Sequence, residues 1–220
     1  MNKIATTLFL LFTISALSAQ VETITGKFPH QEKKYSIATQ PLYNFNSGVR
    51  FDFEMRIKDS PSWVQISPSG YWMPRANHDY NYWILPSGEL NYLLGAGMEL
   101  NYKYFFNRKE SLYFAGGCSY THYTIEYVDE YWRSYSEDGL VYQVKEYGAT
   151  KQRINKLGIN AYFGYQLPKP TFLFDMFVGL GYRHSFRSNS MAKPFNDGML
   201  SFGYSGVVIT TGIRIGVKFK

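Results

Sequence analysis

The chain has 220 residues, a formal charge of +6 and an aromatic share of 19%, with 20 Tyr and 17 Phe. Its length suits one domain, and its single cysteine, Cys118, excludes an intramolecular disulfide framework and a cysteine-type metal site. The basic residues sit singly, with no run longer than Lys33-Lys34, so the net charge does not describe a nucleic-acid patch.

Asn2-Lys3 supplies a positive start, and Ile4 to Leu17 is apolar and hydroxylic. The small residues of Ser15-Ala16-Leu17-Ser18-Ala19-Gln20 then suit signal peptidase. That apolar run falls short of the roughly 20 residues a membrane-spanning helix needs. Residues 1–19 are therefore expected to be a cleaved signal peptide, with no Cys after it for lipid attachment. Residues 20–32 read as a polar, flexible lead-in, and 33–220 as the folded domain. No later stretch approaches about 18 apolar residues, which argues against a helical span.

The remainder of the chain shows period-2 alternation, the mark of strands with two different faces. A weak first segment, about Lys33 to Tyr43, is broken by Pro41, which suits only an edge, an end or an irregularity. Val49 to Ile57 is the cleanest case, with Phe51, Phe53 and Met55 on one face and Arg50, Asp52, Glu54 and Arg56 on the other. Further segments begin near 62, 88, 111, 151, 171 and 204. From Leu90 to Tyr104 the even positions are apolar, opposite Glu99, Asn101 and Lys103. Leu157 to Leu167 and Phe172 to Tyr182 repeat the pattern, opposite Lys156, Asp175 and Arg183. In the last segment Ile209, Ile213, Ile215, Val217 and Phe219 oppose Gly212, Arg214, Gly216 and Lys218. Such lengths exceed the usual 3–10 residues of a globular strand, and small inward residues fit a narrow lumen. The expected fold is all-β: a transmembrane antiparallel up-and-down β-barrel of about eight strands. Short connections at 58–61, 106–110 and 168–170 would lie at one end, and long loops at 74–87, 128–150 and 187–203 at the other.

These residues resemble the small outer-membrane barrels of Bacteroidota. The Ala19-Gln20 junction is similar to signal cleavage sites common there. Pro41-Leu42, Gly48-x-Arg50 and Glu54 resemble a recurrent N-terminal pattern of that group. The final amphipathic segment with Phe219 resembles the recognition strand of outer-membrane barrels. In architecture the chain also resembles the OmpA transmembrane domain, OmpX and OmpW. The resemblance implies a cell outer membrane, with its lipid and lipopolysaccharide as surroundings, and membership of an export, insertion or uptake assembly. It carries no role onto particular residues.

Alternation places Arg50, Asp52, Glu54, Arg56, Glu89, Glu99, Lys103, Lys156, Asp175, Arg183, Arg214 and Lys218 in the lumen, seven basic against five acidic. Isolated charges there would be costly, so they should pair into a polar network; the near balance argues against a charge-selective channel. His30, His78, His122 and His184 show no metal spacing, and His184-Ser185 cannot easily form a dyad because neighbours on a strand point oppositely. No cofactor, metal or catalytic residue is expected. Outside the barrel Tyr131, Trp132, Tyr135, Tyr80 and Trp83 are candidates for contact with a partner protein, since aromatics are enriched at interfaces. Leu140 to Val144 could equally continue a strand above the membrane. The expected role is a non-enzymatic barrel docked onto a larger envelope assembly. A solitary narrow pore or small-molecule conduit stands second, and a lipid-modifying enzyme third.

Overall fold

The computed structural model describes residues 33–187 and 202–220, apart from 47, 59, 74–89 and 108. The expected signal peptide and lead-in, the long connection at 74–87, residues 188–201 of that at 187–203, and Tyr80, Trp83, Glu89, His30 and His78 therefore lie outside the described residues. Eight strands follow one another: β1 (Tyr35–Thr39), β2 (Gly48–Arg56), β3 (Ser62–Met73), β4 (Leu90–Phe105), β5 (Leu112–Glu137), β6 (Leu140–Gln166), β7 (Phe172–Arg187) and β8 (Gly206–Phe219). Each pairs antiparallel with the next, and β8 returns to β1 from Tyr35↔Phe219 to Thr39↔Ile215, closing the barrel.

The alternation sorts side chains as expected for such a barrel. In β2 Phe51, Phe53 and Met55 face outward and exposed, while Arg50, Asp52, Glu54 and Arg56 are buried inside. The same inversion holds in β4, where Leu94, Met98, Leu100, Tyr102 and Tyr104 are exposed and Glu99, Asn101 and Lys103 are buried. Outward Tyr35, Tyr102, Tyr104, Phe172 and Phe219 ring the short-turn end, and Trp72, Tyr120 and Tyr182 stand toward the other. An apolar outside with aromatic rims around a polar inside is the reverse of a protein made for water.

The first strand is short for a physical reason. Pro41 has no N–H to offer a ladder, and the chain leaves β1 for the 3₁₀ helix Pro41–Asn46. Beyond Ile215 the upper part of β8 has no β1 partner, and the 3₁₀ helix packs against β8 and β2 in its place.

One expectation is corrected. Residues 128–150 are not a long loop: β5 and β6 stay paired from Leu112↔Tyr165 to Glu137↔Leu140, where Asp138 and Gly139 make the turn. Both have positive φ, 52° and 75°, the conformation a two-residue type I′ hairpin requires and Asp-Gly favours. β4 leaves β5 at Tyr127 and β7 leaves β6 at Ile154. Among the described residues the remaining hairpin is thus paired only with itself. Its rungs run on from Tyr127↔Thr150 to Glu137↔Leu140, and at about 3.3 Å each they carry it roughly 30 Å onward.

Candidate functional site

The lumen is filled in layers. Nearest the short turns lie Trp63, Phe105, Tyr113, Ala115 and Tyr162, with Phe177 packed against them. Gly164 makes this layer possible, because a Cβ there would collide with the Tyr113 ring. Threaded through these rings is a network of charges from strands remote in sequence. Arg214 donates from Nη1 to Glu54 Oε1 (2.9 Å) and Gln65 Oε1 (2.6 Å), and from Nη2 to Asp175 Oδ2 (2.5 Å) and the Tyr113 hydroxyl (2.6 Å). Lys103 Nζ donates to Glu54 Oε1, Asp175 Oδ2 and Gln166 Oε1 at 3.2, 3.2 and 2.9 Å. The Tyr113 hydroxyl gives Asp175 a third donor, and Ser36 Oγ donates to Glu54.

A second group sits one level up. Arg50 donates from Nε to Asp52 Oδ1 and from Nη1 to Glu99 Oε2, both at 2.8 Å. Gln40 and Gln65 also donate to Asp52, and Asn101 and the Tyr162 hydroxyl to Glu99. At the short-turn end Arg56 pairs with Glu110, and Lys218 is buried opposite Ser36. In this plug Arg50, Arg56, Lys103 and Arg214 pair with Asp52, Glu54, Glu99, Glu110 and Asp175, and Lys218 is buried with them: five cations and five anions, with Lys156 buried higher in the lumen. Buried charges survive when paired and hydrogen-bonded, and this plug is neutral. Of its neutral partners, Tyr162 and Gln166 fall on the inward face that alternation gives their strand, whereas Gln40, Gln65 and Tyr113, and Glu110 in a turn, were not singled out by sequence. Glu110 occupies a positive-φ turn position, φ 48°, that alternation cannot describe.

Above the plug the lumen opens into a cavity of about 280 Å³ whose wall includes Lys156 and Arg183. An apolar cluster of Met73, Leu93, Ile125, Ile154 and Phe202 packs there with Tyr71, Tyr123 and Tyr127, and Tyr71, Tyr123 and Phe202 share the cavity wall.

His184 and Ser185 point to opposite sides of β7. The His184 ring faces outward and packs edge-on against Phe186 at 4.5 Å, whereas Ser185 Oγ donates to the Tyr204 carbonyl. His122 Nδ1 meets Asn155 Oδ1 at 2.7 Å on the outer face. Cys118 is exposed on that face, in a shallow apolar groove of about 480 Å³ shared with Leu100, Tyr120, Ile159 and Tyr182.

On the projecting hairpin, Trp132, Val141 and Tyr147 occupy one face, where Lys145 lies 5.6 Å from the Tyr147 ring. Tyr135 and Tyr142 stack on the other at 5.3 Å, beside Val144 and the Arg133–Glu146 pair. Trp132 is 66% exposed and Val141 73%, values that no core would leave. Tyr131 is a rung opposite Glu146.

No family model matches the chain, and no curated protein matches it. Among solved structures it is similar to crystal structures of Acinetobacter baumannii CarO and CarO2. The first is 14% identical, with 87% of this chain and 99% of that one covered and a TM-score of 0.38. The second is 10% identical, with 85% and 98% covered and again a TM-score of 0.38. The eight-stranded closure itself rests on the strand pairing described above.

Proposed function

We propose that this is a non-enzymatic outer-membrane barrel, reached after signal cleavage near Ala19-Gln20, whose projecting β5–β6 hairpin docks a partner protein of an envelope assembly. The apolar outer belt supports the membrane placement: from Leu94 to Tyr104 the outward side of β4 stays apolar, matching the roughly 9–11 residues a tilted strand needs in hydrocarbon. The observation that carries the docking role is the hairpin, which exposes aromatic and aliphatic side chains on both faces and has backbone edges with no strand neighbour among the described residues. Unpaired edges are templates for strand addition. Residues 128–150 hold five acidic and two basic side chains in a chain of net +6, so the partner presents a basic face. The solitary-pore alternative fits less well, because the plug fills the short-turn half of the lumen.

The test is purification from native membranes in mild detergent, with the wild-type chain beside a Trp132→Ser/Tyr135→Ser double variant. A stoichiometric partner should accompany the wild type, leave as salt is raised, and bind the variant at least about tenfold more weakly, as for anchors at an interface centre. A monodisperse wild-type monomer, or equal retention by the variant, would overturn the docking role.

A further inference from the structure

The outer face of the barrel is not evenly filled. On β2 Phe51, Phe53 and Met55 all stand large and exposed. On β5 the outward side chains shrink in mid-strand. Cys118 stands between Leu100 of β4 and Ile159 of β6, and the next outward rung toward the short turns sets Gly116 opposite Ala161. The groove over Cys118 has Met98 and Leu100 along its β4 side and Leu157 and Ile159 along its β6 side. β4 and β6 lie two strand spacings apart, about 10 Å, which leaves room over β5 for a single hydrocarbon chain. An apolar trough is a liability in water, but in a membrane barrel this face meets lipid.

The groove has one polar end, toward the long loops. There the Tyr120 hydroxyl donates to Asn155 Oδ1 at 2.8 Å, and His122 Nδ1 lies 2.7 Å from the same oxygen. An amide oxygen only accepts, so both neighbours donate to it. The donors of Asn155 are its amide N–H groups, and no acceptor meets them among the described residues. His184 borders the same end, on the rung of Tyr120 and Leu157. His122 stands eight residues along β5 from Phe114, which shares a rung with Tyr104 of the short-turn rim. Eight residues rise roughly 20 Å at a strand tilt of about 40°, close to the outer edge of an apolar band about 25 Å tall. A donor at that depth has little water to bond, and leaving it unmet is costly.

We propose that this groove holds one acyl chain of a lipopolysaccharide molecule, with the ester or amide oxygens at the head of that chain received by Asn155 and His184. Barrels of this class keep short turns on the periplasmic side and long loops outside. A chain whose polar end points to the long loops therefore belongs to a lipid of the outer leaflet, where lipopolysaccharide lies. An inner-leaflet lipid would bring its head to the opposite end, where Gly116 and Ala161 offer no side-chain hydrogen bond. Apolar side chains of a partner protein would fill the trough and leave the Asn155 amide unmet. The inference rests on the outer-membrane reading and is independent of the docking role of the hairpin.

The full chain, refolded in a zwitterionic detergent, is titrated with deep-rough lipopolysaccharide or with phosphatidylglycerol, and bound lipid is counted by native mass spectrometry. Folding of every variant is checked by heat-modifiable gel migration. The folded wild type should take one lipopolysaccharide and bind phosphatidylglycerol about tenfold or more weakly, a difference of about 1.4 kcal/mol. Cys118→Trp fills the trough and Asn155→Leu removes the donor, and each should weaken lipopolysaccharide about tenfold or more. Val217→Trp, on the outer face of β8 away from the groove, should change nothing. Failure of the folded wild type to bind lipopolysaccharide would overturn the proposal. So would phosphatidylglycerol binding as tightly, or full affinity in folded Cys118→Trp and Asn155→Leu. Those results leave the outer-membrane reading standing, whereas a wild-type chain that folds and stays dispersed in plain buffer would sink that reading and this inference with it.

Discussion

The plug and the hairpin are built from the same antiparallel ladder, yet their side chains live under opposite rules. In the plug, Asp175 accepts from Arg214, Lys103 and Tyr113, and its side chain has no exposure at all. On the hairpin, Arg133 and Glu146 meet at 3.7 Å with the arginine side chain 68% exposed, a pair that solvent screens to little energy. The backbone ladder is indifferent to this change of surroundings, so two strands can leave the barrel without changing their pairing. What changes is the cost of altering a side chain: inside, the carboxylates share their cations and hydrogen-bond donors with one another; outside, solvent surrounds the groups and can replace what a substitution removes.

The largest expected effect comes from the plug. Arg214→Ala removes the donor shared by Glu54, Gln65, Asp175 and Tyr113. Leaving buried carboxylates without their cation costs about 3–5 kcal/mol. Urea unfolding in lipid vesicles should show that loss, whereas Trp132→Ser on the hairpin should stay within about 0.5 kcal/mol. Equal losses at the two sites would erase the distinction between regions.

This contrast also marks how far the sequence could be read. Alternation alone named Arg50, Asp52, Glu54, Arg56, Glu99, Lys103, Asp175, Arg214 and Lys218, all of which the structure buries in the lumen, and Lys156 and Arg183, which line its cavity. A strand's period reports which face a residue takes, and that is a local property. Who meets whom across the barrel is not local: Glu54 and Arg214 stand 160 residues apart in the chain. The neutral members, such as Tyr113 and Gln65, carry no charge pattern to betray them. For the hairpin the period failed for a different reason. Both its faces are wet, so Trp132 and Val141 share one face with Ser134 and Lys145, and no apolar stripe is kept. The legible signal there was Asp138-Gly139, a turn signature between two β-rich runs. The shortness of β1 was legible at Pro41.

A middle-sized effect should come from crowding the plug without touching a charge. Gly164→Ala sets a methyl group against the Tyr113 ring, which must move while its hydroxyl bonds Asp175 and Arg214. Overpacking of this kind costs about 1–3 kcal/mol, read by the same unfolding measurement. A neutral result would mean that Tyr113 can shift without loosening the network, and that the plug is softer than its bonding suggests.

The smallest effect tests the independence of the hairpin. Gly139→Ala places a Cβ at φ 75°, where nothing lies within 4 Å to clash but the left-handed backbone itself is unfavourable. That strain amounts to about 1 kcal/mol, and it falls on a turn roughly 30 Å beyond the last rung shared with β4. Hydrogen exchange should quicken at the amides of the rungs near Ser136↔Val141 and Glu137↔Leu140, while exchange in β2 and β8 and the global unfolding midpoint stay as they were. Local opening without global loss is what a self-paired extension predicts. If the midpoint falls along with the tip, the hairpin and the barrel melt as one unit, and the projecting ladder is part of what holds the barrel closed.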